Sequence, residues 1–311
     1  MRVITEQEVA AAVTLPAVVD SIQDVLGHQV ATTAWNVDKT MATWAASSAH
    51  GLGAVDTQDG LVVFKTWVNT PAGASAMLTA FAADDGHVRA VMEAGTLGAL
   101  RTAAIAGLAT RLLSDPTADE IAVLGAGHQA LRQVAAAAAV RPLRRVRVWS
   151  RSAERRDALA DRVRTELRLD AVSSSTVVDA TRDAPLVTAI TRATEPFLEM
   201  DHLADGAHLN ALGAILPSHA EFNPSLLASS ALTVVDSEAN ARRASREFTE
   251  YFGDDWSAVH TLADVVAGTV SRPARPRCTV FKAMGMGLSD LAVARLVLNG
   301  FTTGSPQGGP R

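Results

Sequence analysis

The chain has 311 residues, 48% of them hydrophobic, and a formal net charge of −5. It is long enough for two ordinary domains, and its dispersed basic residues offer no electrostatic footprint for nucleic acid. No apolar stretch reaches the ~18 to 20 residues a membrane span needs, MRVITEQEV lacks the basic and apolar regions of a secretory signal, and the single Cys278 excludes an internal disulfide, which together point to the cytoplasm.

Thr5-Glu6-Gln7-Glu8 is a capping box that opens an amphipathic helix, expected to reach about Val30 with a break near Pro16. From Met41 to Met92 short apolar runs alternate with turn signals at Gly51 and Gly53, Gln58-Asp59-Gly60, Pro71-Ala72-Gly73 and Asp84-Asp85-Gly86. That pattern predicts an antiparallel sheet of about five strands, among them Leu61 to Val68 and Met77 to Ala83. Lysine occurs only at Lys39, Lys65 and Lys282, with arginine elsewhere, so each retained lysine raises a functional question. Lys65 lies inside the apolar Leu61 to Val68 run, and Arg101 inside a helix predicted over 96–113 that is otherwise built mainly of Ala, Leu, Gly and Thr. A cation among such neighbours is costly unless it faces water, pairs with an anion or meets a ligand carboxylate. Water is the commonest answer, but two such cations in one domain narrow the gap. Asp115-Pro116 ends the helix and marks a domain boundary.

Residues 119–152 read as strand, glycine turn, helix and second strand. The turn Gly125-Ala126-Gly127-His128-Gln129-Ala130 is a G-x-G-x-x-A pattern after the apolar strand Ile121 to Leu124 and before an alanine-rich helix. The bare pattern is as often a plain turn, and the strand and helix around it are what make it a dinucleotide site. Gly125 permits the turn, Gly127 lets backbone approach a pyrophosphate, small Ala130 packs helix on strand, and the helix N-terminus faces the phosphates. The second strand, Val146 to Trp149, ends in Ser150-Arg151-Ser152, with no acid for a ribose 2′-hydroxyl. Hydroxyls and a guanidinium suit a 2′-phosphate, so NADP(H) is favoured over NAD(H). Arg155 and Arg156 follow on the next helix and could add to that site, but helix-surface arginines are more often solvated face, which leaves Ser150, Arg151 and Ser152 as its core. His128 serves packing or phosphate contact in this reading, and Gln129 and Thr191, just past a strand candidate at Leu186 to Ile190, complete the cofactor-binding set. Further strand candidates near Ala171-Val172, His208 to Leu212 and Leu232 to Val235 alternate with helices, which predicts an α/β, Rossmann-type doubly wound parallel sheet. The segment from Phe281, FKAMGMGLSDLAVARLVLNGF, reads as a final helix, and the tail TTGSPQGGPR as disordered. No Cys/His cluster has metal-ligand spacing and no nucleophile elbow is present, so metal catalysis and acyl transfer find no support.

Lys65 in FKTWVNTP, Arg101 in GTLGALRTAA, the 125–130 turn, Ser150-Arg151-Ser152, Gly206 to Gly213 followed by Pro217 and Glu221, Val234-Val235-Asp236-Ser237, and Phe281 to Gly285 with Asp290 occur in an order that resembles the ornithine cyclodeaminase/mu-crystallin family across nearly the whole chain. The resemblance implies a homodimer, a Rossmann domain at 115–282, and a discontinuous α+β substrate-binding and dimerisation domain from 1–114 and 283–311. It also implies that Lys65 and Arg101 bind a substrate α-carboxylate, with Lys39 the nearest candidate for a third cation. One departure matters more than the matches. Cyclodeaminases resemble G-G-D-C-P-G-K-T-E where this chain has Gly213-Ala214-Ile215-Leu216-Pro217-Ser218-His219-Ala220-Glu221, so Ile215 stands where the family's catalytic aspartate engages the substrate amine. Isoleucine can neither accept a proton nor pair with an ammonium. His219 is a candidate substitute acid, although a loop histidine more often simply faces solvent. The expected activity is NAD(P)H-dependent reduction of the C=N bond of a small α-imino acid, as in the family's ketimine reductases and amino acid dehydrogenases. The alternatives are a cyclodeaminase that uses NAD catalytically and a non-catalytic NADP(H)-binding, crystallin-like protein. Retained Lys65 and Arg101 speak against the last, since a pure dinucleotide binder needs no carboxylate clamp.

Overall fold

In a computed structural model, which describes residues 2–303, the chain begins with β1 (Arg2–Ile4), α1 (Glu6–Ala12), α2 (Leu15–Val30), β2 (Ala34–Trp44), β3 (Ser47–Asp56), β4 (Leu61–Thr70), β5 (Gly73–Ala82), β6 (Val88–Glu93) and α3 (Gly95–Leu113). It continues through β7 (Glu120–Leu124), α4 (Ala130–Ala138), β8 (Arg145–Trp149), α5 (Ala153–Arg162), β9 (Asp170–Ser174), α6 (Val177–Thr181), β10 (Leu186–Ala189), β11 (Ala207–Ala211) and β12 (Ser230–Val235). The last elements are α7 (Glu238–Ala244), α8 (Arg246–Phe252), β13 (Val259–Thr261), α9 (Leu262–Val266), β14 (Cys278–Lys282) and α10 (Gly287–Thr303). They form two compact units: one from the residues up to Thr102 and from Met286 on, the other Ala103–Gly285. The division falls inside α3, ahead of Asp115-Pro116. Among the described residues no single helix is long and apolar enough to cross a membrane.

The first unit holds a six-stranded sheet in the order β1-β6-β5-β4-β3-β2, antiparallel except for β1 beside β6. The capping box forms, with Thr5 N–H donating to Glu8 at 2.9 Å. The expected break falls at Val13-Thr14, where Thr14 caps α2 and Pro16 sits in its first turn, the place where a missing N–H is harmless. Glu6 in turn accepts from Gly95 N at 2.7 Å and Thr96 N at 2.6 Å, fixing the start of α3. The turn after β3 ties α2 to α10: His28 Nδ1 lies 2.7 Å from Asp56, and Arg295 donates to Asp59 at 2.8 Å. Helix α10 is apolar on nearly every side, burying Leu291, Ala292, Val293, Ala294 and Val297, and it packs on α2, β3 and β4. At its start Gly287 touches the β3 backbone so closely that a Cβ would collide with the Gly53 carbonyl.

The second unit is an eight-stranded parallel sheet, ordered β13-β12-β14-β11-β10-β7-β8-β9. Both faces are covered, as a parallel sheet requires. Along β7, Ile121 and Val123 join a core with Val134, Val146 and Leu159, while Ala122 and Leu124 join another with Val187, Leu209 and Val280. Two strands differ from the sequence reading. β13 had no signal, being three residues long, and β14 occupies Phe281-Lys282, which reads as the start of the last helix. The run Cys278 to Lys282 is wholly buried between β11 and β12, Gly285 turns the chain at φ 89°, and the helix begins only at Gly287. Helix α10 also continues through Thr303, two residues into the expected disordered tail, and residues 304–311 lie outside the described residues. Beneath the sheet His208 sits fully buried between Thr279 Oγ1 at 2.9 Å and Asn210 Oδ1 at 3.2 Å, and burial pushes its pKa down to about 3.

Candidate active site

In the first unit the alternation of β4 sets the chemistry. Leu61, Val63 and Lys65 share the core-facing side of the strand, so Lys65 takes a position built for a hydrocarbon and is 4% exposed. It is compensated by the first turn of α10, where Asp290, itself 1% exposed, accepts from Lys65 Nζ at 2.6 Å. Arg101 Nε lies 3.4 Å from the same Asp290 oxygen. Gly98, three residues before Arg101 on α3, borders the same cluster: a Cβ there would stand 3.8 Å from Lys65 Nζ, an ordinary packing distance. Trp67, two residues along β4, has Lys65 Nζ 5.2 Å and Lys39 Nζ 5.6 Å from its ring centre, and His50 stacks on it at 4.6 Å.

Burial lowers the Lys65 pKa to about 8, with Arg101 and Lys39 adding to the shift and Asp290 opposing it. Such an amine is mostly an ammonium at neutral pH yet gives up its proton readily. Among the described residues Asp290 Oδ2 and Arg101 Nε are buried and have no hydrogen-bond partner. An unpaired buried acceptor and donor side by side are costly, and a ligand with an anionic and an N–H end would satisfy both.

In the second unit Gly125 has φ 121°, and a Cβ there would stand 2.5 Å from the Ile190 carbonyl oxygen, so the turn requires glycine. Around Gly127 nothing lies within 4 Å of where a Cβ would be, which leaves backbone open to a phosphate. Gln129 is the N-cap of α4 and makes no side-chain cap, Ala130 is fully buried, and His128 is exposed. The turn therefore fits a dinucleotide pyrophosphate. At the end of β8, Ser150 Oγ accepts from Ser152 N at 3.3 Å, Ser152 caps α5, and Arg151 is exposed. Of the two arginines on α5, Arg156 folds back toward this segment: Nη1 donates to the Ser150 carbonyl at 3.4 Å and Nε to Ser173 Oγ at 3.1 Å.

Thr191 follows β10, with its N–H and hydroxyl directed at Glu221. Ile215 and Leu216 are exposed in the loop after β11, and His219 is half-buried with Nδ1 3.0 Å from Ser218 Oγ. The structure thus brings together Lys39, Lys65, Arg101 and Asp290 in one unit, and the glycine turn with the Ser150 to Ser152 segment in the other. The sequence names Asp290 and Glu221 only as parts of the family pattern, with no contact assigned to either. Lys282, the third retained lysine, pairs with Glu247 at 3.1 Å, both fully buried.

The sequence matches the ornithine cyclodeaminase/mu-crystallin family over residues 69–305. The ketimine reductase mu-crystallin of Mus musculus is 33% identical over 225 residues, covering 72% of this chain and 69% of that protein. The iminosuccinate reductase of Paracoccus denitrificans, solved in complex with NAD+, superposes with a TM-score of 0.90 at 26% identity, covering 97% of both chains. The Δ1-pyrroline-2-carboxylate reductase of Thermococcus litoralis, solved with NADH and L-proline, shares the fold at a TM-score of 0.92 and 20% identity, covering 97% of this chain and 98% of that one.

Proposed function

The chain belongs to the ornithine cyclodeaminase/mu-crystallin family, and on that premise we propose that it is a nicotinamide-dependent oxidoreductase that reduces the C=N bond of a small α-imino acid. The observation that carries this reading is the cluster of Lys65, Asp290 and Arg101, a buried amine of lowered pKa held beside an unsatisfied guanidinium nitrogen and an unsatisfied carboxylate oxygen. Its relatives named as ketimine and iminosuccinate reductases support the same class of reaction.

Arg101, aided by Lys39, holds the substrate α-carboxylate, and positioning of this kind contributes at most about 7 to 11 kcal/mol of barrier reduction. Lys65 donates its proton to the imine nitrogen, and Asp290 Oδ2 accepts the N–H of that nitrogen. A reduced nicotinamide cofactor, which the Gly125 to Ala130 turn and the Ser150 to Ser152 segment would hold, would supply the hydride that turns C=N into CH–NH. Solvent then returns a proton to Lys65. Ile215, apolar and 40% exposed, offers no base for ring closure with loss of ammonia, which favours reduction over cyclodeamination.

NADP(H) is the preferred cofactor in this proposal, because Ser150 and Arg151 follow β8 with no carboxylate and Arg156 folds back toward Ser150. The working form is a cytoplasmic homodimer. Its support is the sheet face opposite Lys65, where Phe64, Val68 and Met77 stand exposed beside a cavity of about 630 Å³ lined in part by Thr66, Val68 and Met77. Oxidation of NADPH and NADH over pyrroline-2-carboxylate, piperideine-2-carboxylate, and pyruvate or oxaloacetate with ammonia tests the reading. Turnover of at least one is expected, and none at all would overturn it.

A further inference from the structure

The strand order of the second unit reverses at β7, with β8 and β9 on one side and β10, β11 and β14 on the other. A dinucleotide crosses such a sheet at the turn after its first strand, with its adenosine half over one flank and its nicotinamide half over the carboxyl ends of the strands on the other. Ser150 to Ser152 end β8, so the nicotinamide half falls to the loops that follow β10 and β11. Those loops begin at 190 and 212 and make few ladder hydrogen bonds of their own. A bound ring needs them fixed.

One carboxylate fixes both. Glu221, fully buried, accepts at Oε1 from the Thr191 N–H and from Thr191 Oγ1 at 2.8 Å, and at Oε2 from Gly213 N at 2.7 Å and Ala214 N at 3.2 Å. Each oxygen therefore holds one loop. The approach is tight enough that a Cβ on Gly213 would collide with the Thr191 backbone and with Glu221 Oε1. Behind it, Glu221 N–H donates to Glu247 Oε1 at 3.0 Å, and the same oxygen takes Lys282 Nζ at 3.1 Å from the end of β14. Burying a carboxylate is unfavourable unless its donors are fixed. This one spends them on loop backbone at the cofactor end of the sheet.

We propose that Glu221 is a positioning residue for the nicotinamide half of the cofactor, acting through Thr191 and through Gly213-Ala214. It touches neither substrate nor adenosine in this assignment, which gives the test its contrast. The probes are whichever of NADPH and NADH the parent binds more tightly, and the matching fragment without nicotinamide, 2′-phospho-ADP-ribose or ADP-ribose, titrated by fluorescence and calorimetry. Glu221→Gln leaves an amide group where two acceptors stood, and the loss of a charge-assisted contact should raise the dissociation constant of the whole dinucleotide by about tenfold or more. Fragment affinity should stay within about twofold, the two ligands differing only in the half that the loops receive. Thr191→Val removes one donor and keeps the side chain's shape, and it should show the same one-sided loss to a smaller degree. It also decides the matter if Glu221→Gln does not fold. Equal weakening of both ligands, or unchanged dinucleotide binding in Thr191→Val, would overturn the proposal. Because only binding is read, the result is independent of whether the enzyme reduces imines.

Discussion

Replacing Asp290 with asparagine removes the carboxylate 2.6 Å from Lys65 Nζ and nearly preserves the side chain's shape. An opposite charge at such range holds a pKa toward the charged form by about 1 to 3 units. Lys65, near 8 with Asp290 in place, should therefore fall to roughly 5 to 7 in Asp290→Asn. At pH 7 the protonated fraction would drop from about nine-tenths to somewhere between about a half and a hundredth. In the proposed mechanism reduction uses the ammonium, so kcat should decline as pH rises through the Lys65 pKa, with a midpoint near 8 in the parent. In the variant that limb should move at least about one unit toward acid. The assay is kcat for the best α-imino acid from acid to alkaline pH, with thermal melting measured alongside, because Arg101 also loses its carboxylate neighbour. An alkaline limb that stays near 8 in Asp290→Asn, or survives in Lys65→Met, would refute Lys65 as the proton donor.

Arg101→Ala should abolish turnover while leaving NADPH affinity within about twofold, because its ion-pair partner is Asp290 and its proposed role is to hold the substrate carboxylate; loss of fold or of cofactor binding would instead mark a structural ion pair. Arg151→Ala should weaken NADPH by about tenfold or more and leave NADH unchanged, and equal affinities for the two cofactors in the parent would sink the 2′-phosphate reading. His208 sets a pH limit on stability. Its pKa is near 3 folded and about 6.5 unfolded, so between those values the unfolded chain binds a proton the folded one does not. Stability should thus be full above about pH 6.5 and fall on acidification by up to about 1.4 kcal/mol per pH unit from this residue. Denaturant titrations of His208→Gln should show a flatter acid slope, and an unchanged slope would contradict the assignment.

What could be read from the sequence depended on how local the cause was. The glycine turn is legible because strand, turn and helix are contiguous, and Lys65 because a lysine breaks the apolar run of its strand. Asp290 as the partner of Lys65 was not legible, since 225 residues separate them and only the fold brings α10 against β4. β14 was missed because a short apolar run next to an apolar helix has no distinguishing period; burial between two parallel neighbours decides it. Arg156 looked like any helix-surface arginine, and its return to Ser150 depends on where α5 begins. Glu221 was noticed only as part of a family pattern. Its role rests on backbone groups of two loops, and backbone donors leave no mark on residue identity.

The central claim, hydride delivery to an imine carbon, is tested most directly by following the hydrogen. With whichever of NADPH and NADH supports faster turnover, deuterated on the transferring face of C4, and the α-imino acid that turns over fastest, nuclear magnetic resonance of the amino acid product should show one deuterium on the α-carbon for each cofactor oxidised. Product without deuterium at that carbon, or proline and ammonia formed from ornithine with no net change in cofactor, would contradict the account.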